Sequence, residues 1–93
     1  MSKHYNIEED GTIIWKNQND QIHREDGPAM EYSDGEEHWY KNDLCHRDNG
    51  PAVIRPDGYK AWYQNGECHR EDGPAIISPN GYEYWYQNGK IIK

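Results

Sequence analysis

Three histidines stand at equal intervals, each with acidic or amide residues close behind: His23-Arg24-Glu25-Asp26, His46-Arg47-Asp48-Asn49 and His69-Arg70-Glu71-Asp72. An imidazole beside a carboxylate is the raw material of general acid–base catalysis. Two of these histidines also follow a thiol, as Cys45-His46 and Cys68-His69, and thiolate with imidazole is a zinc-ligand pairing. The arginines of the same phrase could grip phosphate. All three chemistries need groups that converge on one point. Here the groups return every 23 residues, so they form a file along the molecule. Adjacent strand residues point to opposite faces, which makes a Cys-His pair a poor chelate, and the paired Cys-x-x-Cys spacing of a structural zinc site is absent. The histidines are expected to stack on tryptophan or to bond a carbonyl. The arginines, each with acids one and two places on except at Asn49, fit a local ion-pair ladder. No Gly-rich phosphate loop or nucleophile elbow is present. The expectation is a protein that is not an enzyme and holds no metal or cofactor.

The elements that carry these residues follow from the period. The phrase His-Arg-x-Asp/Asn-Gly-Pro-Ala occupies 23–29, 46–52 and 69–75, and between its copies lie Trp39-Tyr40-Lys41-Asn42, Trp62-Tyr63-Gln64-Asn65-Gly66 and Trp85-Tyr86-Gln87-Asn88-Gly89. A fixed period in this range marks a repeat, each copy being one supersecondary element that cannot bury its apolar face alone. Tyr59-Lys60-Ala61-Trp62-Tyr63-Gln64 reads as one aromatic-rich strand, and Asn65-Gly66 as a two-residue type I′ turn. The return strand begins at Glu67-Cys68-His69. Arg70-Glu71-Asp72-Gly73 is expected to bulge it, with the glycine at positive φ. Ala75-Ile76-Ile77 resumes the strand, and Ser78-Pro79-Asn80-Gly81 turns into the next copy.

The fold expected is therefore all-β, a single-layer antiparallel β-meander of tandem 23-residue hairpin repeats, with roughly seven or eight strands. One domain covers 1–93: a degenerate capping unit at 1–22, then full repeats at 23–45, 46–68 and 69–91. The cap carries one inserted residue, since Trp15 to His23 spans eight positions where Trp39 to His46 spans seven. Alternation along the strands puts Trp39, Trp62 and Trp85 on one face and Tyr40, Tyr63 and Tyr86 on the other. Cys45 and Cys68 share a column with Ile22 and Ile91, a buried apolar slot. Equivalent residues two strands apart sit roughly 9–10 Å from each other, beyond the ~7 Å reach of a disulfide, so free thiols are expected.

Composition agrees with a thin, aromatic-held strip. Apolar residues are 33% of the chain and phenylalanine is missing, yet there are four Trp and eight Tyr, rings that bury large areas while keeping a polar tip near water. The net charge of −7 falls unevenly: residues 1–45 carry four bases against eleven acids, and residues 46–93 carry six of each. Aromatic files can stack bases, but single-strand binders pair them with a positive groove that this chain lacks, so direct nucleic-acid binding is not expected. No apolar run is long enough to span a membrane and the polar N-terminus has no signal-like core. The expectation is a soluble, cytoplasmic protein, placed in the host cytoplasm if the source is a phage or virus.

The period, the Trp-x-x-Asn-Gly turn, the histidine after it and the Asp-Gly that closes each copy resemble a MORN-type repeat. The family's Trp-Lys-Asn-Gly-x-x-His-Gly-x-Gly is matched by Trp62-Tyr63-Gln64-Asn65-Gly66-Glu67-Cys68-His69 and then diverges, with His-Arg-Glu-Asp-Gly-Pro-Ala in place of His-Gly-x-Gly. That variant is associated with repeat proteins of bacteria, phages and large viruses. The likeness runs from about Asp10 to Ile91 and implies a β-hairpin strip acting as a protein-interaction or dimerisation scaffold.

Residues that repeat are explained by the fold, so function is sought where the repeat breaks. The first full copy has Met30-Glu31-Tyr32-Ser33 and Glu36-Glu37-His38 where later copies have Val53-Ile54-Arg55-Pro56 and Tyr59-Lys60-Ala61. The candidate partner-binding residues are Glu8, Glu9, Asp10, Glu31, Asp34, Glu36 and Glu37, with Tyr32 and Trp39 as aromatic anchors. The function expected is non-catalytic binding of a protein partner with a basic surface. Two alternatives stand beside it: a phage-type inhibitor of a host defence complex acting as an acidic nucleic-acid mimic, and a small-ligand sponge. Free strand edges also point to self-association.

Overall fold

The computed structural model describes residues 5–92; residues 1–4 of the expected cap and Lys93 lie outside the described residues. Fourteen short strands make up the regular structure among the described residues. In the first half these are β1 (Tyr5–Ile7), β2 (Ile13–Trp15), β3 (Met30–Glu31), β4 (Glu37–His38), β5 (Tyr40–Lys41), β6 (Leu44–Cys45) and β7 (Val53–Ile54). The second half has β8 (Lys60–Ala61), β9 (Tyr63–Gln64), β10 (Glu67–Cys68), β11 (Ile76–Ile77), β12 (Glu83–Tyr84), β13 (Tyr86–Gln87) and β14 (Lys90–Ile91). All pairings are antiparallel. Eight strands form one meandering sheet in the order β1-β2-β3-β4-β7-β8-β11-β12, and β5–β6, β9–β10 and β13–β14 form separate hairpins along it. The protein is an all-β antiparallel meander, with principal extents of 43 × 25 × 17 Å.

The stretch expected to be one strand, Tyr59–Gln64, is two. Ala61 pairs with Val53 and Ile76 in the main sheet, whereas Tyr63 pairs with Cys68 in an outer hairpin. Trp62 is the corner between them. Its N–H donates to Ala75 O at 2.7 Å and its carbonyl accepts from His69 N–H at 3.0 Å. Trp39 turns the same corner with Ala52 O at 2.7 Å and His46 N–H at 3.0 Å. The break has a covalent cause. Pro51 and Pro74 have no N–H to give to a ladder, so the flanking strands stop at Ala52 and Ala75 and the chain must find a new partner beyond each tryptophan.

The hairpin turns match the expected type. Both central residues have positive φ in Asn65-Gly66 (51° and 84°), Asn88-Gly89 (51° and 81°) and Asn42-Asp43 (50° and 69°), the signature of type I′. The residue inserted in the capping unit is absorbed locally. Asn17 N–H reaches Gln21 O at 2.9 Å and leaves a three-residue loop, with Asp20 at φ 62° taking the left-handed position such loops need.

Burial is carried by small side chains. Ala29, Ala52, Ala61 and Ala75 are fully buried and Val53 and Cys68 nearly so, and among the described residues no large side chain is fully buried. Alanine fits because the backbones approach closely here: Ala52 N–H bonds Ala61 O at 2.8 Å while Ala52 O accepts from Trp39.

Candidate interaction site

The repeated residues hold the strip together, each by a definable contact. Arg24, Arg47 and Arg70 lie flat over Trp15, Trp39 and Trp62, with the guanidinium carbon 4.0, 3.7 and 4.0 Å from the ring centroid. Each also donates from Nη1 to a proline carbonyl, of Pro28, Pro51 and Pro74, at 3.2, 3.1 and 3.1 Å. The expected ion-pair ladder is partial: Nε donates to Asp26 at 3.1 Å and to Asp72 at 3.3 Å, while Asn49 gives Arg47 no such pair. The glycines of the phrase do not take positive φ, contrary to the sequence expectation. Gly27, Gly50 and Gly73 are needed for room, since a Cβ there would sit 2.8, 3.1 and 2.7 Å from the guanidinium carbon of the arginine three residues back.

The histidines clamp neighbouring hairpins. Nδ1 of His23, His46 and His69 accepts the backbone N–H of Asn42, Asn65 and Asn88 at 3.1, 2.9 and 2.9 Å. A nitrogen that accepts carries no proton, so the proton is on Nε2. From there it is donated to Glu25, Asp48 and Glu71 at 2.7, 2.9 and 2.5 Å. These contacts replace the expected tryptophan stack or carbonyl bond. Backbone amide and carboxylate occupy both ring nitrogens, and the three rings form a file rather than one centre.

The acidic candidates are divided by the pleat of the sheet. One row of paired residues runs Met30, His38, Val53, Ala61 and Ile76, and the next runs Ile13, Glu31, Glu37, Ile54 and Lys60; adjacent rows face opposite sides. Glu31 and Glu37 are direct cross-strand partners, and Arg24 Nη1 holds Glu31 at 3.3 Å. On the other side Tyr32 packs on His38, with ring centroids 5.1 Å apart. Glu36 Oε2 lies 2.6 Å from His38 Nε2 and 3.5 Å from Arg55 Nε. Burial first, and then the charges of Glu36, Asp10 and Asp34, push the Tyr32 hydroxyl above the ordinary phenol range. Asp10 caps Thr12 N–H at 3.0 Å, and that bond lowers its carboxyl pKa. Glu8 and Glu9 are exposed in the β1–β2 turn. Trp39 lies beneath Arg47, and its indole Nε1 is buried without a partner.

Sequence reasoning did not single out a groove on the Tyr32 side, of about 460 Å³, lined by Tyr40, Cys45, Val53, Arg55, Tyr59 and Tyr63. Burial raises the pKa of Tyr40, Tyr59 and Tyr63 and pushes the free thiols of Cys45 and Cys68 up to about 11. Arg55 stands 4.5 Å over the Tyr59 ring. One signal was available: Tyr32, Arg55 and Ser78 fill one repeat position with three chemistries.

Among the described residues no helix is long and apolar enough to cross a membrane. No group of three or more His, Cys, Asp or Glu is placed to hold a metal ion among them. No family model matches the chain, and no curated protein or solved structure matches it at a significant level.

Proposed function

We propose that this chain is a non-catalytic interaction module whose acidic N-terminal half binds a protein partner through a basic surface. One observation carries the reading. Arginine and histidine of the repeated phrase are occupied in holding adjacent hairpins, whereas Glu8, Glu9, Asp10 and Asp34 have no cationic partner among the described residues. Tyr32, half-buried against His38 and under the charges of Glu36, Asp10 and Asp34, is the aromatic anchor, and a charged rim around such an anchor is ordinary interface anatomy. Trp39 serves the fold instead. The test is capture from a cell lysate at low and high salt, with wild type and with a variant carrying Glu8→Gln, Glu9→Gln and Asp34→Asn. A partner held at low salt, released at high salt and lost from the variant supports the reading. Retention of the same proteins by both chains at every ionic strength removes it.

A second reading, capture of a small ligand, is favoured by the tyrosine-lined groove with Arg55 beside it. Native mass spectrometry of the purified protein decides it: a retained mass that Tyr63→Ala releases is the supporting result.

A further inference from the structure

We propose that the cleft beside Arg47 binds a carboxylate supplied in trans, by an aspartate or glutamate side chain of an acidic peptide segment. This site lies in the half of the chain whose charges balance and is separate from the acidic surface above.

Three arginines share one setting and differ in one respect. Arg24 and Arg70 each give Nε to the aspartate two residues on, Asp26 and Asp72, at 3.1 and 3.3 Å. Arg47 has Asn49 in that place. Its stack on Trp39 and its Nη1 bond to Pro51 O are kept, so the guanidinium is fixed in the same pose, while Nε and Nη2 have no acceptor among the described residues. Arg47 and Asn49 line a cleft of about 700 Å³ together with Trp62, Gln64 and the segment 69–72.

The acids that line this cleft are engaged already. Asp48 is bonded by His46 at 2.9 Å, Glu71 by His69 at 2.5 Å and Asp72 by Arg70 at 3.3 Å. Arg47 is thus the one arginine of the cleft without a carboxylate partner among the described residues. An arginine held planar by its stack and its carbonyl bond has already given up most of its rotamer freedom, so a carboxylate meets a fork that is pre-oriented. The Asn49 amide can add a donor beside it. The flanking copies define the ligand, because the group they place on Nε is a carboxylate.

The probe is N-acetyl-aspartate N-methylamide, titrated against the full chain while the arginine Nε–Hε signals are followed by NMR. The Arg47 signal is expected to move and saturate at millimolar probe, with less movement as salt is raised, while those of Arg24 and Arg70 stay in place. Asn49→Asp restores the residue of the other copies and keeps the fold. It is expected to weaken the probe by about tenfold or more and to shift Arg47 Nε–Hε toward the positions of Arg24 and Arg70 without any probe. Equal movement of all three arginines, no saturation, or unchanged binding in Asn49→Asp overturns the proposal. So does a response to inorganic phosphate alone.

Discussion

The guanidinium carbon of Arg47 lies 3.7 Å from the ring centroid of Trp39, and Gly50 approaches so closely that a Cβ there would be 3.1 Å from the same carbon. The same grouping of ring, cation and close glycine recurs at Trp15–Arg24–Gly27 and Trp62–Arg70–Gly73. It joins the corner of one strand to the irregular segment beside it, and where no large side chain is fully buried among the described residues it takes the place of a core.

Arg70→Lys keeps the charge and discards the plane. A lysine cannot lie flat on Trp62 while donating to both Pro74 O and Asp72, so the substitution is expected to cost about 1–2 kcal/mol. Urea unfolding followed by tryptophan fluorescence reads this as a lower midpoint at unchanged slope. A midpoint within error of wild type would mean that the stack contributes nothing.

Gly73→Ala tests the close approach of the glycine. Gly73 does not occupy the left-handed region, so any penalty comes from contact, at 2.7 Å to the Arg70 guanidinium carbon against 3.1 Å for Gly50 and Arg47. Overpacking of this kind costs roughly 1–3 kcal/mol. Gly73→Ala is expected to destabilise more than Gly50→Ala, and thermal melts of the two variants give the order. Reversal of that order would place the constraint elsewhere.

Much of this was legible in the sequence, and the omissions have physical causes. Asn65-Gly66 announced a type I′ turn because only residues tolerant of positive φ fit both its centres. The meander followed from hairpins set one after another. The corner at Trp62 was not legible, because alternation of side chains along Tyr59–Gln64 continues through it, while the bonds that break the strand come from Ala75 and His69. The glycine of Asp-Gly-Pro was misjudged for a related reason: glycine serves both positive φ and close approach, and the second needs a contact from Arg70. One clue was present, since a glycine follows every such arginine at three residues. The acidic patch was seen as one surface because its members are close in sequence, yet the pleat sends Glu31 and Glu37 to one side and Tyr32 to the other.

His69→Ala removes an acceptor from the Asn88 amide and a donor from Glu71. If the ring is a clamp, the loss is about 1 kcal/mol and is local. Hydrogen exchange at the Asn88 amide should speed up, while the Asn42 amide, bonded to His23 at 3.1 Å, keeps its rate. Exchange that rises equally at both positions would show that the rings act through global stability instead of through their own turns.

The two thiols supply a pH test whose sign is fixed. Burial is the main cause that pushes Cys45 and Cys68 from an ordinary 9.0 up to about 11, so the folded chain holds these protons more tightly than the unfolded one. A group of this kind supports the fold fully below the unfolded value, and its contribution is lost as pH rises through the folded one. Midpoint stability should therefore fall between about pH 9 and pH 11, and the fall should shrink when both cysteines are replaced by alanine. At pH 8 a two-unit rise leaves about a hundredth of the ordinary thiolate. Since the thiolate is the nucleophile, iodoacetamide should label the native protein about a hundredfold more slowly than it labels the urea-unfolded chain, with Cys68, the more buried of the two, the slower. Native labelling at the unfolded rate would show that the fold shields neither thiol; the column expected to be buried is buried only at Cys68, since Ile22 and Cys45 are half-exposed and Ile91 is exposed.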